Sequence, residues 1–210
     1  RMGSLYEYAP GLTKTIRRED FTHNVYSMNE DSEGNLWLGM RGTGLRIGAD
    51  KWYKNNSKDP NSLSNDQVFS IYRDRKGRMW LGTFGGGLNL AVKTKDGYQF
   101  RHFLQDNYGE KRIRVIEEDK NGRMWVGTNN GIYIFHPDSL IASPENYIIY
   151  NHVNGTFPNN EIRCLMNDHE GNMWIGTAGA GFAVCHPEGD YQHLTFNCYD
   201  IKDGLSNAVV

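Results

Sequence analysis

Seven side chains are the best candidates for chemistry in this chain. Arg41, Phe84, Asn129 and Asn130 fall in glycine-rich turns, and Arg112, Arg114 and Arg163 fall in or beside short β-rich stretches. Guanidinium and amide donors grouped with an aromatic platform suit binding of a polar sugar, whether neutral or acidic. The competing reading of each is an exposed loop residue or a solvated arginine. Catalytic signatures are missing from the sequence. It holds no Gly-x-Ser-x-Gly or Walker-type loop. Gly85-Gly86-Gly87 is no phosphate cradle, because it joins two expected strands and no Lys-Ser/Thr follows it. Glu117 and Glu118 are neighbours on an expected strand, so they point to opposite faces and make a poor acid/base pair. The seven His (His23, His102, His136, His152, His169, His186, His193) show no His-x3-His spacing, and Cys164, Cys185 and Cys198 no Cys-x2-Cys spacing. No catalytic residue, metal site or cofactor is therefore expected.

Composition narrows the classes further. With 23 Lys+Arg against 25 Asp+Glu in 210 residues, the chain carries a formal charge of −2. A nucleic-acid binder normally shows a basic excess, so nucleic acid is not an expected partner. The longest apolar stretch, Met79 to Val92, is interrupted by glycines, and a membrane-spanning helix needs about 20 apolar residues. Three Cys make no disulfide framework. Glycine (24 residues) and aromatics (12%) are plentiful, as many short strands joined by tight turns require.

The elements that position the candidates repeat. Four copies read Asp31-Ser-Glu-Gly34-Asn-Leu-Trp37-Leu-Gly39, Asp74-Arg-Lys-Gly77-Arg-Met-Trp80-Leu-Gly82-Thr83, Asp119-Lys-Asn-Gly122-Arg-Met-Trp125-Val-Gly127-Thr128 and Asp168-His-Glu-Gly171-Asn-Met-Trp174-Ile-Gly176-Thr177. The Trp-to-Trp spacings of 43, 45 and 49 match four-stranded propeller blades. Asp-x-x-Gly reads as a tight turn, with Asp bonding the backbone ahead and Gly supplying positive φ. Its likeness to a calcium loop is superficial, since such a loop needs about five ligand positions over twelve residues. A first strand precedes each turn (Val25–Met28, Val68–Ile71, Ile113–Ile116, Ile162–Leu165). The second strand carries the Trp between apolar neighbours, which predicts burial of both its faces between blades. A glycine-rich turn, a third strand and a less regular fourth strand complete each copy; the last fourth strand is expected at His193–Phe196. Trp52 lies outside the repeat register, and little or no helix is expected.

The expected fold is thus an all-β propeller of four-stranded antiparallel blades, present in part. The divisions are the end of a preceding blade (1–20), four blades (21–63, 64–108, 109–157, 158–203) and the opening strand of another (204–210). Gly204-Leu-Ser-Asn207 repeats the Ser62-Leu-Ser-Asn65 entry to a first strand. An open arc of a larger ring would leave apolar faces bare, so pairing of two arcs into a homodimer is a further expectation.

The pattern Asp-x-x-Gly-x-hydrophobic-Trp-hydrophobic-Gly-Thr, followed by a glycine-rich turn and Gly-Leu-x-hydrophobic, resembles the two-component regulator propeller repeat. Met40 replaces the usual Thr in the first copy, and Asn129-Asn130 replaces Gly-Gly in the third. The resemblance implies the periplasmic sensor region of an inner-membrane hybrid histidine kinase of the kind common in Bacteroidetes. It implies an oligosaccharide ligand, with signalling to transcription of polysaccharide-use genes. The implied partners are the remaining blades and the downstream domains of the parent chain, which would also hold the kinase activity. Two other readings of such repeats are a streptogramin-lyase type enzyme and a protein-interaction scaffold. The lyase reading needs a His base and a metal in the channel, and no His falls in the first-strand stretches.

Overall fold

The computed structural model describes residues 4–8, 11, 15–21, 23–105, 112–153 and 159–210. Strands β1 (Ser4–Tyr8) and β2 (Thr15–Asp20) form an antiparallel pair. Four antiparallel sheets follow, each built from consecutive strands. Blade 1 comprises β3 (Val25–Glu30), β4 (Leu36–Met40), β5 (Leu45–Ile47) and β6 (Lys51–Tyr53). Blade 2 comprises β7 (Val68–Arg73), β8 (Met79–Thr83), β9 (Gly87–Thr94) and β10 (Gly97–Phe103). Blade 3 comprises β11 (Ile113–Glu118), β12 (Met124–Thr128), β13 (Gly131–Phe135) and β14 (Ile148–Tyr150). Blade 4 comprises β15 (Ile162–Asn167), β16 (Met173–Thr177), β17 (Phe182–Cys185) and β18 (Asn197–Tyr199). The fold is the expected all-β propeller. The first strands of neighbouring blades pack on one another, so β3, β7, β11 and β15 lie innermost.

Each Asp-x-x-Gly turn is a clasp. Gly34, Gly77, Gly122 and Gly171 have φ between 76° and 86°, the left-handed region that glycine enters at least cost. In every copy one Asp oxygen accepts two backbone N–H groups ahead of it. The other accepts the Trp indole N–H, at 2.9 Å in Asp31–Trp37, 3.0 Å in Asp74–Trp80, and 2.8 Å in both Asp119–Trp125 and Asp168–Trp174. The carboxylate is consumed by this clasp, which explains the spacing without a bound cation.

Burial comes from the seams between blades. Trp37, Trp80 and Trp125 are fully buried, each against side chains of the following blade. Gly127 on β12 is required by the seam, because a Cβ there would stand 2.7 Å from Ile162 on β15 and 2.7 Å from Val115. Trp52 is half exposed and lies 5.9 Å from the buried Arg46 guanidinium, which pairs with Glu19 of β2. Arg46 thus ties the β1–β2 pair to blade 1.

Two expectations need correction. The fourth strand of blade 4 is Asn197–Tyr199, not His193–Phe196. Tyr191–His193 instead forms a 3-10 turn opened by Asp190, whose side chain accepts the Gln192 N–H. Tyr191 plunges into the seam, where its hydroxyl donates to Asp119 at 2.6 Å, so regular pairing resumes only at residue 197. A short helix, α1 (Pro137–Ala142), also replaces the simple Pro turn after β13 and buries Leu140. Of the expected end of a preceding blade (1–20), residues 1–3, 9, 10 and 12–14 lie outside the described residues.

Candidate ligand-binding site on the inner strands

The inner strands share an irregularity. In each blade the register between first and second strand slips by one residue, between Val25 and Ser27, Val68 and Ser70, Ile113 and Val115, and Ile162 and Cys164. The surplus residues are Tyr26, Phe69, Arg114 and Arg163. A bulge bends its strand and re-aims the side chain of the unpaired residue. Here the four bulges produce one row that crosses all four blades.

The row starts in aromatics. The Tyr26 and Phe69 rings lie 4.3 Å apart, and Phe69 stacks on Phe84 at 4.9 Å with a 22° interplanar angle. Phe84 follows β8 and bridges to Arg112, which precedes β11. The guanidiniums of Arg112 and Arg114 sit 5.0 Å and 4.9 Å from its ring centroid, within cation–π range. Arg114 continues the row with an Nε–H to Asn129 Oδ1 at 3.2 Å and an Nη2–H to Glu161 Oε1 at 2.7 Å. Arg163 reaches the same Glu161 oxygen at 2.9 Å. Burial, then the neighbouring positive charge of Arg163, pushes the Arg114 pKa down.

Five of the seven sequence candidates therefore meet: Phe84, Arg112, Arg114, Asn129 and Arg163. Two do not join them. Asn130 turns to the Tyr133 hydroxyl at 3.2 Å. Arg41 is exposed and bridges Gln67 at the turn after β4. Tyr26, Phe69 and Glu161 were missed by residue type. The signal for the first two was their repeat column, since Tyr26, Phe69, Arg114 and Arg163 all hold the second position of a first strand. At the far end of β11 the acidic neighbours serve the seams. Burial pushes the Glu117 carboxyl up, with the Tyr72 hydroxyl donating to it at 3.4 Å, while Glu118 accepts the Arg75 N–H at 3.0 Å.

The row is carried by repeats whose family model is the two component regulator propeller, matched at residues 21–42, 62–85, 107–130 and 156–179. The chain belongs to the two-component regulator propeller family. Among solved structures it is similar to a chain described as the extracellular domain of the hybrid two component system BT3049 from B. thetaiotaomicron. That likeness has 23% identity and a TM-score of 0.73, and covers 98% of this chain but 29% of that one. PorZ of the Porphyromonas gingivalis type-IX secretion system is similar at 17% identity and TM-score 0.63, over 95% of this chain and 31% of PorZ. Virginiamycin B lyase of Staphylococcus aureus is similar at 14% identity and TM-score 0.62, over 87% of this chain and 59% of the lyase. At these identities the likenesses establish the fold. The chain spans less than a third of the length of the BT3049 domain. No curated protein matches it. Among the described residues, no helix of this two-component regulator propeller is long and apolar enough to cross a membrane.

Proposed function

We propose that this chain is part of the extracytoplasmic sensor propeller of a hybrid two-component histidine kinase, that it lies in the periplasm, and that its ligand is an oligosaccharide. The observation that carries the reading is the four-fold match to the two-component regulator repeat. The likeness to the BT3049 extracellular domain supports it. Arg112, Arg114, Asn129, Arg163 and the Phe84 ring supply the donors and apolar surface for the ligand, whereas Arg41 and Asn130 stand outside that set. The segment binds and does not catalyse; kinase chemistry belongs to downstream domains of the parent chain, and neighbouring blades are its immediate partners. Ligand contact with residues from several blades favours one blade arrangement over another, and the kinase reads that shift. The lyase reading is weaker, because the row that the inner strands present is aromatic and cationic and contains no His.

The test is a transcriptional reporter driven by the parent system in its native host, challenged with a panel of plant and host oligosaccharides. Induction by one glycan, abolished by deleting residues 21–203 from the sensor, is the expected result. A reporter indifferent to every glycan, or a parent gene that encodes no kinase, overturns the reading.

A further inference from the structure

The row of bulged residues has two chemically different halves. On blades 1 and 2 it is apolar, formed by Tyr26, Phe69 and Phe84. Beside Tyr26 it opens into a groove of about 430 Å³ lined by Leu5, Phe21, Val25 and Met28. On blades 3 and 4 it is cationic, formed by Arg112, Arg114 and Arg163. Arg114 donates an Nη2–H to Glu161 Oε1 and the Arg163 guanidinium pairs with the same oxygen at 2.9 Å, so one carboxylate oxygen serves two guanidiniums. Such forks are built to take two-oxygen anions, and here each is left with donors to spare.

Glu161 is held in place by its backbone. Its N–H donates to Asn159 Oδ1 at 2.7 Å, and its carbonyl accepts the Ala178 N–H at 3.0 Å. The side chain carries neither bond, so it can leave the arginines without dismantling the entry to β15. Arg114 is steadied independently of it: it lies against Phe84 and donates to Asn129.

We propose that this wall binds an acidic oligosaccharide whose anionic group displaces the Glu161 carboxylate from between Arg114 and Arg163, with its sugar rings lying along Phe84, Phe69 and Tyr26. The proposal rests on the sensor reading and names its ligand class. Glu161 is then an internal placeholder that keeps the guanidiniums paired in the free protein. Its release unties a contact that joins blade 3 to the start of blade 4, which gives the two states the differential contacts that a population shift requires.

Calorimetry on the chain tests it, with oligogalacturonates as carboxylate probes, carrageenan oligosaccharides as sulfate probes and neutral galacto-oligosaccharides as controls. At least one acidic series binds ten-fold or more tightly than the neutral one, and which series does so identifies carboxylate or sulfate. R114Q and R163Q each weaken that binding ten-fold or more. E161Q strengthens it several-fold, because the competing carboxylate is gone. This opposite sign is the decisive readout, and a merely structural role for Glu161 does not produce it. Thermal melts establish that each variant is folded; if R114Q does not fold, R163Q and E161Q still decide the matter. Weaker binding by folded E161Q overturns the placeholder. Equal binding of neutral and acidic sugars, unchanged in R163Q, overturns the acidic class and leaves oligosaccharide sensing standing. Binding of no saccharide overturns both this proposal and the oligosaccharide reading on which it rests.

Discussion

Blades 3 and 4 carry the same clasp and the same strand order, yet their tryptophans end in different surroundings. Trp125 is fully buried, while Trp174 remains 36% exposed. Both indoles donate to the clasp Asp at 2.8 Å. What differs is the neighbour. Trp125 lies in a cluster with Leu165, Met173, Ile175 and Tyr191 of blade 4. Trp174 stacks on Phe182 at 5.5 Å, and Phe182 stacks on Tyr199 at 5.0 Å, in a partly open face. The clasp therefore orients the tryptophan, and the following blade buries it. A propeller blade is stabilised largely by a surface it does not own.

Truncating the two tryptophans gives the largest test of that contrast. Trp125→Ala should cost about 3–5 kcal/mol in chemical denaturation, the range for a buried aromatic. Trp174→Ala should cost about 1 kcal/mol, since much of its surface already meets water. Equal losses would place the burial energy inside each blade and break the comparison. The clasp carboxylates come next. Asp119→Ala strands the Trp125 indole, the Tyr191 hydroxyl and two backbone N–H groups in a buried site, at a cost of about 3 kcal/mol. Asp168→Ala should lower the melting temperature by less, because water reaches the groups it abandons.

Acid separates the clasps more gently. Burial alone would raise the Asp31 carboxyl, but hydrogen bonds from Trp37 and Asn35 outweigh it and hold it below its ordinary 3.8. The Trp174 and Asn172 side chains hold Asp168 lower still. A carboxyl depressed by folding contributes stability that is fully present above its unfolded pKa and is lost as pH falls through the folded one. The melting temperature should thus decline below about pH 4, and Asp168→Asn should flatten that decline. The smallest effect is optical. Trp174→Phe should remove emission that acrylamide quenches readily, whereas Trp125→Phe should leave that readily quenched emission unchanged.

The sequence displayed the fold through its four clasps, because Asp, Gly and Trp have fixed local duties that survive any neighbour. It displayed the site less fully. Phe84, Arg112, Arg114, Asn129 and Arg163 were recognisable by type and place. Tyr26 and Phe69 looked like ordinary strand residues, since a bulge is a property of paired backbones and leaves no mark on one strand alone. Glu161 was invisible for a similar reason: its two arginines come from different blades. The fourth strand of blade 4 was misplaced because Tyr191 answers to Asp119, 72 residues earlier, and not to its own segment.

The bulges have a consequence for how such a protein changes over generations. Positions 26, 69, 114 and 163 are surplus to the strand registers around them. Substituting them alters what the inner wall displays while the pairings that specify the blade stay as they were. Drift toward a new specificity can then proceed at one set of codons, and the conservation of architecture at another. Each blade offers one such variable letter in an otherwise fixed word, and neighbouring blades bring the letters together to be read as a line.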